Sequence, residues 1–276
     1  MTSPKTFPFA LGRLLILTAG AAALLQALPS MAADDANAQT TAATATPATP
    51  ATPAPAFTTS ANIGLYSQYV FRGLTQTNEK PALQGGFDVS HESGLYAGIW
   101  ASNISWISDA TPSASASLEA DIYGGFKYAF NDTLTGDVGF LHYAYPGSFP
   151  GGFTKADTNE LYLGLDAKWI SLRYSYAVGN TFGSADTRGS NYIDLSLTHE
   201  LFAGINGVGH LGRQRYTGPN SSNLSYTDWK LGLNRDFSGY VLAAYYTGTN
   251  AKDAGYTVKG KNLGRDQLVL AVSRTF

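Results

Sequence analysis

Residues 118–130, LEADIYGGFKYAF, decide the fold. Leu118, Ala120, Ile122, Gly124, Phe126 and Tyr128 alternate with Glu119, Asp121, Tyr123, Gly125, Lys127 and Ala129. A period of two is the signature of a β-strand with one apolar and one polar face. The same pattern returns at Leu161–Trp169, where Leu161, Leu163, Leu165 and Ala167 alternate with Tyr162, Gly164, Asp166 and Lys168, and again at Gln267–Val272. Taken alone, such alternation fits a soluble sandwich as well as a membrane barrel.

The connections between these segments separate the two. Short links are expected at His91–Gly94, Asn131–Thr133, Trp169–Ile170, Leu201–Gly204 and Asp236–Gly239. Long polar links fall between them, near 73–81, 105–115, 146–158, 179–190, 216–225 and 249–264. Five short and six long links, strictly alternating, join twelve strands. An even strand number with short turns at one end and long loops at the other is the plan of a bacterial outer-membrane barrel. The chain is therefore expected to be all-β, a transmembrane antiparallel β-barrel of twelve strands with both termini on the short-turn, periplasmic side. Residues 205–215 carry the weakest alternation, because glycines interrupt it.

Polar-face charges must then point into the lumen, since a midplane Lys or Arg on the lipid face costs about 2–4 kcal/mol. They are Arg72, Asp88, Glu119, Asp121, Lys127, Asp137, Glu160, Asp166, Lys168, Arg173, Asp194, Asp228 and Lys230, and all but Asp88 and Glu160 are candidates for lining a pore. A two-residue turn at Trp169–Ile170 would set Asp166 opposite Arg173, and a three-residue turn at Asn131–Thr133 would set Lys127 opposite Asp137. Tyr69, Phe71, Trp100, Trp106, Phe130, Tyr145, Trp169, Trp229, Phe237, Tyr240 and Phe276 fall near strand ends, where amphipathic rings are expected at headgroup level.

Outside the strands, residues 1–32 read as a signal peptide. Lys5 and Arg13 form a basic leader, Leu14–Leu28 is an apolar stretch too short to span a bilayer comfortably, and Ser30 and Ala32 flank Met31 as a cleavage site requires. Residues 33–56 are almost entirely Ala, Thr and Pro, which offers no apolar face to bury, so a disordered linker is expected there. The barrel then covers 57–276. No cysteine occurs among the 276 residues, which excludes disulfides and thiolate chemistry. Without the leader the chain keeps 16 basic against 20 acidic residues, a balance that argues against nucleic acid.

The strands also carry a resemblance. NIGLYSQYVFRG at 62–73, PALQGGFD at 81–88, GLYAGIWASN at 94–103 and YTDWKLG at 226–232 are similar to the signature of the TorF-type porins of proteobacterial outer membranes. Gln68 stands where that family commonly has Asp, and Val89 where it commonly has an aromatic residue. The resemblance implies a barrel admitting small solutes and supplies no substrate. The terminal Phe276, preceded by Leu268, Leu270 and Val272 at alternate positions, resembles the signal by which such barrels engage their insertion machinery; Arg274 departs from it, since a hydrophobic residue is usual there.

Other chemistry finds little support. His91, Glu92, Ser93 and Gly94 resemble part of the His–Ser motif of outer-membrane phospholipase A, but they read first as a Gly-terminated turn. His142, His199 and His210 have no short ligand spacing, and Gly85, Gly86, Gly207, Gly209 and Gly212 precede no helix that could aim its amides at a phosphate. No metal, cofactor or catalysis is expected. The expected function is a porin-like outer-membrane channel for small polar solutes or ions, with membrane lipid, lipopolysaccharide and the assembly machinery as its other partners. The alternatives are a plugged structural or interaction barrel and, last, a lipid-hydrolysing barrel using His91 and Ser93.

Overall fold

In the computed structural model, which describes residues 56–276, the alternating segments pair as twelve antiparallel strands. They are β1 Phe57–Tyr66, β2 Ala82–His91, β3 Leu95–Asn103, β4 Leu118–Asn131, β5 Leu134–Ala144, β6 Thr158–Ala167, β7 Ile170–Ala177, β8 Asn191–Phe202, β9 Ile205–Arg215, β10 Tyr226–Phe237, β11 Tyr240–Thr249 and β12 Gln267–Thr275. Each strand pairs with its neighbour in sequence, and β12 returns to β1 over Asn62↔Thr275 to Tyr66↔Ala271, closing the sheet without an edge. The leader, and all of the linker but its last residue, lie outside the described residues. Residues 205–215, least regular in sequence, form a complete strand bonded on both sides.

Side-chain parity assigns the two faces. Leu161, Leu163, Leu165, Leu231, Leu233, Leu268 and Leu270 all point outward and stand exposed. Among the described residues no helix is long and apolar enough to cross a membrane. A continuous apolar exterior on a closed barrel meets the requirement that lipid imposes, because every backbone group is already paired within the wall. Phe57, Phe130, Trp169, Phe202, Phe237, Tyr240 and Phe276 ring the short-turn end, as expected of interfacial aromatics.

Tight turns set the register. Ala203–Gly204 and Ser238–Gly239 each place both residues at positive φ, the backbone whose twist matches paired strands. One turn differs from expectation: β6 ends at Ala167, so the two-residue link is Lys168–Trp169, with Lys168 at φ 56. The pairing sum therefore shifts by two, putting Asp166 opposite Ser171 and Arg173 opposite Gly164. A two-residue shift keeps every side chain on its face, so both charges still point inward while no longer facing each other. Lys168 is an exposed turn residue rather than part of the lumen wall. Lys127 does lie opposite Asp137.

The largest departure lies after β1. The strand does not run on to residue 72 but stops at Tyr66, and the following segment turns into the barrel. There Val70–Phe71 pairs with Leu74–Thr75 as a miniature hairpin, with Arg72 and Gly73 at its tip, both at positive φ. A Cβ on Gly73 would come within 2.4 Å of the Thr249 methyl and 2.7 Å of the Asp228 Cβ, so only glycine allows the tip to press against the β10–β11 wall. Tyr69 and Phe71 are thus interior residues and not membrane-interface aromatics. Trp100 and Tyr145 are likewise buried inside, and Trp106 opens a short helix, Trp106–Ala110, in the next long loop.

Candidate functional site: an occluded lumen

The lumen divides into two halves of different character. Toward the long-loop end, the inward residues Gln84, Ser102, Glu119, Asp121, Glu160, Gln214, Asp228, Thr247 and Gln267 are all buried by the inserted segment. Toward the short-turn end, Asp88, Lys127, Asp166 and Ser171 keep partial exposure to solvent. The bore is filled in the long-loop half, whereas in the short-turn half, where Asp137, Tyr162 and Lys230 are buried too, solvent reaches part of the wall.

Arg72 is the centre of the closure. Its guanidinium, 4% exposed, reaches the far wall and donates to Glu160 on β6 through Nη1 at 3.1 Å and Nη2 at 2.8 Å. Nη1 also donates to Gln214 Oε1 on β9 at 2.9 Å, and the group stacks over the Tyr192 ring of β8 at 4.3 Å. A fork-on-fork contact of this kind suits arginine and not lysine. Nearby, the Tyr69 hydroxyl donates to Glu119 at 2.8 Å. Beneath the tip, His210 on β9 lies between Asp194 and Asp228, each 2.7 Å from a different ring nitrogen. Because those carboxylates meet opposite sides of the ring, the cluster does not converge on a point that could hold a metal, and no such group occurs among the described residues. Lys230 packs against the Tyr245 ring.

At the rim, Glu79 pairs with Arg265 and Lys261, and Asp109 pairs with Lys259. Partial burial pushes the Glu79 carboxyl up, yet the bonds from Arg265 and Lys261 outweigh it and hold the group below its ordinary range. Exposed pairs of this kind contribute about 0–1 kcal/mol each, so the buried Arg72 network carries most of the fastening. Above the plug lies a cavity of about 190 Å³, lined by Phe71, Arg72, Trp106, Tyr145, Phe182 and Tyr256 among others. That volume falls below the ~300–1,000 Å³ of pockets for drug-sized ligands.

The short-turn half carries a second cluster. Arg173 reaches Asp137 at 3.4 Å, Tyr96 donates to the other Asp137 oxygen at 2.7 Å, and Ser171 donates to Asp166 at 2.6 Å. Lys127 sits over the Tyr96 ring at 5.0 Å. Of the charges expected to line a pore, Glu119, Asp121, Lys127, Asp137, Asp166, Arg173, Asp194, Asp228 and Lys230 are strand residues pointing inward, whereas Arg72 enters from the loop and Lys168 lies in a turn. Sequence reasoning missed Glu160, Gln214, Tyr192 and Tyr143, whose hydroxyl accepts from Arg72 Nη2 at 3.4 Å, as anchors of the plug. The available signal was Arg72–Gly73 flanked by Val70–Phe71 and Leu74–Thr75, a minimal hairpin pattern.

At the β2–β3 turn, His91 Nδ1 lies 2.8 Å from Ser93 Oγ, but the same nitrogen accepts the Ser93 amide at 3.1 Å. Among the described residues no carboxylate hydrogen-bonds His91 to orient it as a base, so the contact is that of a turn.

A closed twelve-strand barrel with an apolar exterior, a charged interior and an inserted loop is the architecture of a transmembrane β-barrel protein. The chain belongs to the family described as bacterial protein of unknown function (Gcw_chp), whose model matches residues 50–276. Among solved structures it is similar to a NanC porin at 12% identity and TM-score 0.50, covering 79% of this chain and 99% of that one. It is also similar to a KdgM porin at 9% identity, with 79% and 98% covered and TM-score 0.48, and to Pseudomonas aeruginosa OccK5 (OpdH) at 12%, with 78% and 62% covered and TM-score 0.41. At these identities the likeness concerns the fold. No curated protein matches the chain.

Proposed function

We propose that this protein is an outer-membrane channel for small polar solutes or ions, with both barrel termini in the periplasm, and that residues 67–81 set its bore. The observation that carries the reading is the lumen itself: a charged, partly solvated passage, interrupted by one loop segment whose tip Arg72 fastens to Glu160 and Gln214 of the wall. The TorF-type resemblance of residues 62–73, 81–88 and 94–103 supports the same assignment. Nothing in the His91–Ser93 turn supports hydrolysis. The burial of the long-loop half favours a second reading, a permanently plugged envelope barrel; single-channel recording in planar bilayers separates the two, because a permanent plug gives no conductance.

In the short-turn half, selectivity follows from which carboxylate Arg173 meets. Asp137→Asn is expected to leave that guanidinium without a carboxylate and to shift the reversal potential in a salt gradient toward anion preference, whereas Asp166→Asn, whose carboxylate accepts from Ser171, shifts it less. Equal reversal potentials in the two variants and the parent would remove these residues from the ion path.

Phe276 we assign to assembly. Its amide donates to the Ala61 carbonyl at 2.8 Å and its carbonyl accepts from the Ala61 amide at 3.1 Å, while its ring stands outward beside Arg274. Arg274 rests between the Tyr240 and Phe276 rings and bonds the Tyr240 hydroxyl at 2.8 Å, which accommodates a charge at a position usually hydrophobic. Phe276→Ala keeps the backbone bonds and removes only the ring, so reduced heat-modifiable barrel in the outer membrane is expected. Parent levels of assembled protein would refute a signalling role.

A further inference from the structure

On the outward face of β9, Leu211 is followed by Arg213 and Arg215, both exposed. Arg213 lies opposite Ile193 of β8 and Thr227 of β10, one outward step beyond the level of Leu211 and Trp229, and Arg215 lies a step further. Lys252 from the last long loop joins them around a depression of about 530 Å³ that Thr217, Ser225 and Asn250 also line. Among the described residues none of the three cations has a carboxylate partner; Arg213 Nη1 donates only to the Thr227 hydroxyl, at 3.0 Å. Three cations crowded on one outward face repel one another unless an anion lies between them.

The same strand continues away from the long-loop end as an apolar trough. Where the flanking strands β8 and β10 carry outward leucines, β9 has Gly207 and Gly209, and the trough they leave, about 880 Å³, is walled by Leu195, Leu197, Leu231 and Leu233. From Arg213 to Gly207 the strand runs about 20 Å. With a tilt of ~35–45° that is about 15 Å of depth, half of a ~30 Å hydrocarbon core. The clamp and the Gly209 end of the trough therefore fall within one leaflet, while the trough runs on to Trp169 and Leu201 at the short-turn end.

We propose that Arg213, Arg215 and Lys252 bind the phosphate of an outer-leaflet glycolipid, lipopolysaccharide, whose acyl chain lies along Gly207 and Gly209. The site rests on the reading that the long-loop end faces the cell exterior. A phosphate offers the acceptor oxygens that guanidinium forks match, and the neighbouring hydroxyls can serve the remaining positions.

The test uses the purified full-length barrel in detergent, with bisphosphorylated lipid A, its enzymatically dephosphorylated form and inorganic phosphate as separate probes, read by native mass spectrometry. Bisphosphorylated lipid A is expected to bind, and the Arg213→Gln/Arg215→Gln variant to lose roughly tenfold or more of that affinity. Gly209→Leu fills the trough with an outward side chain of the kind neighbouring strands carry; it should weaken lipid A and leave any binding of inorganic phosphate unchanged. Equal binding of the dephosphorylated form, unchanged binding in the double variant, or capture of inorganic phosphate without lipid A would each overturn the proposal. On intact cells, Lys252→Cys should react with an impermeant maleimide. Absence of labelling would overturn the outward orientation, whereas labelling combined with unchanged binding in the double variant would overturn the clamp alone.

Discussion

Replacing residues 68–80 with a short glycine–serine bridge is expected to raise single-channel conductance several-fold. The expectation follows from where the closure comes from. Twelve strands enclose a lumen wider than the filled interior of an eight-stranded barrel, so the wall alone leaves room for solvent. What fills the long-loop half is the segment containing Tyr69, Val70, Phe71 and Arg72, all buried. Its removal would expose Glu119, Asp121, Glu160 and Asp228 to water and make that half strongly acidic. The enlarged conductance should therefore come with a shift toward cations, measured as a reversal potential under a salt gradient. A shortened barrel that assembles, shows heat-dependent gel mobility and yet conducts no better than the parent would mean that another element closes the bore.

Arg72→Ala should be the most destabilising single substitution in the lumen. Truncation removes the guanidinium from two Glu160 oxygens and from Gln214, leaving a carboxylate that is 1% exposed without its countercharge. Breaking a buried pair from one side costs about 3–5 kcal/mol, well above the ~0–1 kcal/mol of rim contacts such as Glu79 with Lys261. Glu160→Ala should cost a comparable amount by stranding the guanidinium. Arg72→Met combined with Glu160→Gln should recover much of the loss, because neither partner then carries an unpaired charge. Urea unfolding in lipid vesicles, followed by tryptophan fluorescence, gives the cycle directly. If both single variants fell within about 1 kcal/mol of the parent, water would already be reaching the pair and the segment would not be sealed. The two predictions are linked: loosening Arg72 while keeping the chain intact should also increase the frequency of open events in bilayers.

Much of this architecture can be read without coordinates. Alternation at Leu118–Tyr128 and Leu161–Ala167 specifies strands, and the order of short and long links specifies their number and the two ends of the barrel. Both signals are local, set by a two-residue backbone period and by whether a link has room for anything beyond a turn. Parity survives small errors for the same reason: Asp166 and Arg173 point inward although their turn lies one residue earlier than the composition around Trp169 suggests. Pairing does not survive them, since a one-residue displacement of a turn moves each partner by two. Whether the lumen is open was not local information at all. Arg72 follows a run, LYSQYVF, that is compatible with a longer β1, and only the distant Glu160, Gln214 and Tyr192, brought to the opposite wall by closure of the sheet, supply the partners that make turning inward favourable. Sequence by itself determined the barrel, its strand number and the facing of the charges within its strands, because those follow from periodicity and the cost of exposing polar groups to lipid. Tertiary structure alone decided the plug and the ion pairs, because they depend on contacts between residues 88 and 142 positions apart.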